Sequence, residues 1–288
     1  MPARTSPPVS RTSPTVRRRR LGIELRRLRE AAGLTIDQVA ERLECSLSKI
    51  SRIEKGQVST TTRDVRDLLE IYGLTGEARD ELIQLAREAR QSGWWKAYSD
   101  TRGVLAAGME AEAATIRQYE ALLVPGLLQT ADYARALLRV LLPGEDSEEI
   151  ERRVQLRLKR QAQLTQDDPP TLWVVLDEAA LWRPVGGTDV MREQLLRLAE
   201  LAQLRSVTLQ VLPFAAGEHA ALDGAFTILG FPEQAHPDIV YVEHRTGDLW
   251  LENPKELDHY KLVFERLHTA AFPAADSASH LVAMAEAR

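Results

Sequence analysis

Cysteine is nearly absent from this 288-residue chain: there is one, Cys45. A single thiol excludes an intrachain disulfide and a thiolate zinc site, and it suits a reducing cytoplasm. Long apolar runs are missing as well. Stretches such as Ala121–Val124 and Val140–Leu142 fall far short of the ~20 residues that a membrane-spanning helix needs. The N-terminus carries Pro2, Pro7, Pro8 and Pro14 among Ser, Thr and Arg, without the apolar stretch of a secretory signal. Residues 1–16 therefore read as a disordered leader. HExxH, GxSxG and a Gly-rich phosphate loop are all absent, so no enzyme class, metal or cofactor is announced. What is present is the composition of an ordinary globular protein, 44% hydrophobic and 27% charged, long enough for two domains.

The most informative stretch is Leu34–Gly56, LTIDQVAERLECSLSKISRIEKG, which reads as helix, sharp turn, helix. Thr35 followed by Gln38 has the form of a capping box, and Val39, Ala40 and Leu43 make one apolar stripe. Glu44 and Cys45 leave room for a turn, with Cys45 as a small core residue. Ser46 is a good N-cap for the next helix. That helix buries only Ile50 and Ile53, leaving Leu47, Ser48, Lys49, Ser51 and Arg52 on or near the outside. Two small anchors under an outer face of Arg, Lys and Ser suit insertion into a DNA major groove. The flanks extend the pattern to five helices. Leu21, Leu25, Leu28 and Ala32 repeat at helical spacing before Gly33. Val65, Leu68, Leu69 and Tyr72 precede Gly73, and Thr75 opens a fifth helix with Leu82, Leu85 and Ala89.

Charge is segregated in the same sense. Residues 1–60 hold 13 Lys or Arg against 6 Asp or Glu, a net +7, while the remainder holds 24 against 36, a net −12. The whole chain, at −5, would not be taken for a nucleic-acid binder; its basic end would.

Residues 17–90, with the pattern LRxLRExxGLTxxxVAxRLxxSxSxISRIExG, resemble the xenobiotic-response-element family of helix-turn-helix regulators, the group that includes phage lambda-type repressors. The resemblance implies that Arg29 on the first helix clamps Glu54 at the end of the recognition helix. A forked guanidinium suits that task, and a carboxylate at a helix C-terminus is unfavourable without a partner. It also implies base reading by Leu47, Ser48 and Arg52. Arg52 suits a guanine edge and Leu47 a thymine methyl. Lys49 and Lys55 are better placed for phosphates. Many relatives carry Gln where this chain has Ile36, so Thr35, Gln38 and nearby amides would hold the backbone here. The Arg17–Arg20 run reads equally as an arm on DNA or as a solvated flank of the first helix.

Gly93, Trp94, Trp95 and Ser99–Gly103 mark a linker over 93–103, where the Trp pair suits packing between domains. From Gly103 to Leu164 the pattern is helical, with Thr130 and Asp146 as caps. Beyond Pro170 it changes. Leu172–Leu176, Val207–Leu212, Ala225–Phe231, Ile239–Glu243 and Leu249–Glu252 read as strands, with Thr188–Ala202 a helix among them. Arg245–Asp248 is a hairpin signal, and Asn253, Pro254 and Glu256 open a last helix. The expected fold is therefore multi-domain: an all-α five-helix DNA-binding domain (17–92), then an α+β effector domain (104–272) and a C-terminal tail (273–288).

In that second domain the densest polar constellation is Glu218, His219 and Asp223 on the Gly217–Gly224 loop, with Glu243 and His244 on a neighbouring strand. It reads as a partner or ligand surface together with Trp250, and less well as a catalytic site. His236, His259, His268 and His280 have no metal-ligand spacing and read as surface residues. The stretches EAATIRQYEALLVPGLLQTADYARAL, ERRVQLRLKRQ, LDEAALWRPVGG, VLPFAAGEHAALDGAFTILGF and VYVEHRTGDLWLE resemble the effector domain found behind this helix-turn-helix in actinomycete regulators. The resemblance implies one half of a toxin–antitoxin-like pair, encoded beside a small partner protein. The expected protein is a cytoplasmic, nucleoid-associated homodimer. Its partners are double-stranded DNA with an inverted-repeat operator, half-site centres about 10 base pairs apart, and a small neighbour-encoded protein. It needs no cofactor, and its rivals are an antitoxin-like sequestering protein and a DNA-tethered enzyme.

Overall fold

The computed structural model describes residues 14–90, 104–232, 238–244 and 247–288. Most of the expected leader, the linker with Trp94 and Trp95, His236 and the centre of the Arg245–Asp248 hairpin lie outside these residues. The chain divides into two compact units, residues 1–112 with 233–236 and residues 113–232 with 237–288.

The first unit is all helical: α1 (Pro14–Ala31), α2 (Ile36–Arg42), α3 (Leu47–Glu54), α4 (Thr62–Ile71) and α5 (Glu77–Glu88). A further helix, α6 (Val104–Glu110), groups with it. Leu21 and Leu25 of α1 meet Val39, Ile50, Val65, Leu68 and Leu69 in one core. Thr35 caps α2 with both bonds of a capping box in place, Ser46 caps α3 and Thr61 caps α4. Helix α5 starts one residue later than Thr75 suggests, behind Gly76 at φ +72°. The run Arg17–Arg20 lies within α1. Arg17 reaches Glu88 at 3.3 Å, and burial lowers the pKa of Arg18 and Arg19. The run is thus part of α1 itself, and Arg18 and Arg19 are not solvated side chains.

The second unit is built on a six-stranded sheet. Its elements are β1 (Thr115–Glu120), α7 (Ala131–Leu141), α8 (Ser147–Gln161), β2 (Thr171–Asp177), α9 (Glu178–Trp182), α10 (Thr188–Leu201) and β3 (Val207–Leu212), followed by β4 (Phe226–Gly230), β5 (Ile239–His244), β6 (Gly247–Leu251), α11 (Pro254–Ala270) and α12 (Ala274–Glu286). The strand order is β3-β2-β1-β4-β5-β6. Two helical crossovers make β1, β2 and β3 parallel, and an antiparallel meander adds β4, β5 and β6 on the other side of β1. The α+β architecture holds, with two corrections.

First, the helical reading of 103–164 hides the central strand. Ile116, Tyr119 and Leu123 stand at i, i+3 and i+7, the spacing of a helical stripe. In β1, Ile116 and Tyr119 instead point to opposite faces, and both are buried. Second, residues 273–288 are no tail. Helix α12 buries Ser277, Leu281, Met284 and Ala285. The Val211 N–H donates to Ser277 Oγ at 2.9 Å, and the Phe272 N–H donates to the Val211 carbonyl at 2.9 Å. These bonds close the β3 edge of the sheet, which would otherwise offer unpaired backbone. On one face of the sheet, Tyr119, Val175, Phe226, Ile228 and Val240 pack against Leu257, Phe264 and Leu267 of α11.

Candidate nucleic-acid interface

Helix α2 ends in a Schellman motif. The Cys45 N–H reaches the Ala40 carbonyl at 2.9 Å and the Glu44 N–H reaches that of Glu41 at 3.1 Å. Glycine normally takes the left-handed position of this motif, and here Glu44 holds it at φ +50°. Cys45 is half-buried and packs on the helical core. The turn aims α3 away from α2, and Ile50 and Ile53 seat it.

Leu47, Ser48, Arg52 and Lys55 are exposed and Ser51 half-exposed. Their spacing of i, i+1, i+4, i+5 and i+8 places them on one side of the helix. The Arg52 Nε donates to the Ser48 carbonyl at 3.2 Å, which lays the stem along that side. Thr35 and Gln38 are exposed at the start of α2. The Thr35 hydroxyl accepts from the Gln38 N–H at 3.3 Å and the Gln38 side-chain oxygen accepts from the Thr35 N–H at 2.9 Å. Ser46 Oγ accepts from the Lys49 N–H at 3.2 Å. Ile36 packs on the core. One expected phosphate contact is otherwise engaged: Lys49 Nζ lies 3.0 Å from Asp64 Oδ1 of α4.

The clamp expected at Arg29 and Glu54 is bidentate, with Nε to Oε1 at 2.6 Å and NH2 to Oε2 at 3.0 Å. The third guanidinium nitrogen donates to the Leu34 carbonyl at 2.9 Å. One arginine thus ties α1, the start of the motif and the end of α3. Its pKa is raised, first by the hydrogen bond to Glu54. Beside the clamp, burial and the Glu54 charge push the Tyr72 hydroxyl well above its ordinary range. A methyl group on Gly22 would lie 2.5 Å from the Glu54 carbonyl oxygen and 2.6 Å from that of Ile53. Only glycine lets α1 approach the end of α3 so closely. Sequence reasoning missed this residue, because a glycine inside a helix reads as a weakness.

The second unit scatters its expected surface over two sides of the sheet. His219 folds over the end of β1 on the α11 side, with Nε2 3.5 Å from both Asp177 Oδ2 and the Tyr119 hydroxyl. Its Nδ1 accepts from the Ala221 N–H at 3.3 Å. The Tyr119 hydroxyl also meets Asp177 Oδ2 at 3.3 Å. Burial and the Asp177 charge keep that phenol protonated. Asp223 lies near enough to raise Tyr119 and Tyr260 further, and Glu218 is exposed on the same loop.

Glu243 and Trp250 belong to the opposite side. Val240 faces α11, so Tyr241 and Glu243 face away, and Trp250 pairs with Tyr241 at a ring distance of 4.6 Å. There Glu120 is pushed up to about 8 by burial, against a hydrogen bond from Gln118 and with the help of the Glu243 charge. The nearby Arg157, bonded to Gln129, is lowered to about 10 by burial. Two histidines expected at the surface are not free there. His268 meets Gln210 at 2.6 Å and the Trp173 ring, and His280 lies 3.6 Å from Glu178.

Among the described residues no group of His, Cys, Asp and Glu could hold a metal ion, and no helix is long and apolar enough to cross a membrane. A helix-turn-helix domain model matches residues 20–82, and a model of a domain of unknown function, DUF5753, matches residues 105–282. No curated protein and no solved structure matches the chain. The helical unit is thus a helix-turn-helix of the DNA-binding kind, with α2 and α3 as the two helices on either side of its turn. With the second match spanning more than half of its length, the chain belongs to the DUF5753 family, carrying a DNA-binding helix-turn-helix ahead of that domain.

Proposed function

We propose that this protein is a sequence-specific transcriptional regulator of the xenobiotic-response-element type that acts as a homodimer on an inverted-repeat operator. One observation carries the reading: α3 is clamped from behind by Arg29–Glu54 and presents Leu47, Ser48, Ser51, Arg52 and Lys55 together on its outer side. Arg52 reads a base edge and Lys55 a phosphate. Arg52→Ala costs about 1–3 kcal/mol on the cognate site and relaxes one base position. Lys55→Ala weakens cognate and random DNA alike and makes the salt slope shallower by about 1. Genome-wide footprinting supplies the operator, and titrations on both DNAs at several salt concentrations supply the comparison. Equal losses on cognate and random DNA for Arg52→Ala refute its role.

In this reading the DUF5753 domain receives a small neighbour-encoded protein and carries no catalysis of its own; His219 pins the Gly217–Gly224 loop. The support is a set of large apolar side chains beside that loop. Trp182, Phe214 and Leu222 are 58%, 60% and 71% exposed. Glu178 ties the first two together, accepting from the Trp182 indole N–H at 3.1 Å and the Phe214 N–H at 2.8 Å. Calorimetric titration of the neighbour-encoded protein into wild type and Trp182→Ala/Phe214→Ala tests it. Unchanged affinity refutes this surface.

A further inference from the structure

Lys49 occupies the first turn of the recognition helix, where a lysine would be expected to meet the DNA backbone. It is held elsewhere. Its ammonium lies 3.0 Å from Asp64 Oδ1. The other carboxylate oxygen accepts from the Thr61 hydroxyl at 2.9 Å, and that same Thr61 oxygen accepts from the Asp64 N–H at 3.0 Å. Asp64 is thus fixed twice to the N-terminus of α4 before it meets the lysine, so the acceptor is rigid and the lysine comes to it. The two side chains are 39% and 25% exposed. Partial burial alone would raise the Asp64 carboxyl, but the hydrogen bonds from Lys49 and Thr61, with the lysine charge, hold it below its ordinary value. The direction also fits. Two residues along a helix is a turn of about 200°, so Lys49 stands away from Leu47 and toward α4.

The geometry points to Asp64 as an internal stand-in for a DNA phosphate that withholds Lys49 from the DNA backbone. A carboxylate and a phosphate oxygen compete for the same ammonium, which is a compact point charge without the fork that lets an arginine serve two acceptors. An exposed lysine on a recognition helix would add one phosphate contact to every DNA segment, whatever its sequence. Pairing Lys49 within the protein removes that contact from random binding and leaves sequence reading to Leu47, Ser48 and Arg52. Asp64 is therefore a positioning residue that acts through Lys49. The inference rests on the DNA-binding reading above.

The test uses the full chain and a random-sequence 20-base-pair duplex as probe. Affinity is measured between 50 and 200 mM salt for wild type, Asp64→Asn, Lys49→Met and the double variant. Asparagine keeps an acceptor for Thr61, and Lys49→Met leaves α4 untouched should Asp64→Asn fold poorly. Each phosphate contact adds about 0.9 to the salt slope on duplex DNA. Asp64→Asn is therefore expected to steepen the slope by about 0.9, which is a further ~3.5-fold fall in affinity across that salt range. Lys49→Met alone is expected to match wild type, and the double variant to return to the wild-type slope.

A Lys49→Met slope shallower than wild type by about 0.9 overturns the proposal, because Lys49 would then already touch a phosphate. So does a steeper slope that survives in the double variant, which would mean that lost negative charge alone explains it. An unchanged slope in Asp64→Asn overturns it as well. If wild type shows no salt-dependent binding at all, the DNA-binding reading itself falls. The first three outcomes leave that reading standing.

Discussion

Breaking the clamp between Arg29 and Glu54 should cost the helix-turn-helix unit a large part of its stability. The two side chains are only 10% and 5% exposed, so neither charge has much water to fall back on. Arg29→Met leaves the Glu54 carboxylate nearly buried at the C-terminus of α3, where the helix dipole also disfavours it. Removing one partner of a buried pair costs about 3–5 kcal/mol, against ~5–15 kcal/mol for a typical domain. Glu54→Gln should cost less. An amide oxygen can still accept from the guanidinium, Arg29 keeps the Leu34 carbonyl, and Glu30 stands 3.6 Å away. The decisive variant is Arg29→Met/Glu54→Leu. With no charge left to strand, it should be more stable than Arg29→Met alone, with a coupling energy well above ~0.5 kcal/mol, where independent sites would add. No tryptophan lies within residues 14–90, so fluorescence does not report on α1 and α3 directly. Denaturant-dependent hydrogen exchange on peptides from α1 and α3 does. Additive single losses would refute the reasoning, because the pair would then be solvated in solution.

Gly22→Ala should destabilise the same unit by at least about 1–3 kcal/mol through overpacking, although alanine in an open helix would gain about 1 kcal/mol; the sign in hydrogen exchange decides. Glu44→Gly should stabilise by up to ~1 kcal/mol by relieving a left-handed side chain, read as a later urea midpoint for α2 and α3. For the DUF5753 domain, the raised Glu120 carboxyl stays protonated in the fold while the unfolded chain ionises. Stability should therefore fall as pH rises from the ordinary carboxylate range through about 8. Glu120→Gln should flatten that dependence in tryptophan-monitored urea unfolding, and an unchanged pH profile would remove Glu120 as its source.

What was legible in the sequence was mostly local. The capping box at Thr35 and Gln38 and the Asn253–Pro254 start of α11 involve residues three apart or fewer, so spacing alone exposes them. The clamp spans 25 residues and came from family resemblance, not from periodicity. Gly22 was invisible because its value lies in a backbone 31 residues away that only the fold brings close. Asp64 looked like any acid in the first turn of a helix, and only the placement of α3 against α4 turns it toward Lys49. The strand β1 was lost for a different reason. Being central, it is buried on both faces, so the alternation that marks a half-exposed strand is absent from it. Helix α12 was lost because its buried positions include Ser277 and Ala285, which carry no strong apolar signal.

The sheet topology explains why the five residues read as one surface separate in space. Loops leaving parallel strands all emerge at the same end, so Glu120, Leu176 and Val211, aligned in register across β1, β2 and β3, bring their following segments together. The chain then crosses from β3 to β4 on the far side of β1, and the loop with His219 has to pass over those strand ends. Phe214, His219, Leu222 and Asp223 gather there for that reason, beside Trp182. Glu243 and Trp250 arrive on the antiparallel half, where side chains alternate between faces, and the register that puts Val240 against α11 turns them to the other side. The partner surface proposed above would therefore lie on the loops after β2 and β3, whereas the Glu243 charge acts on Glu120 and Arg157 on the other side of the sheet.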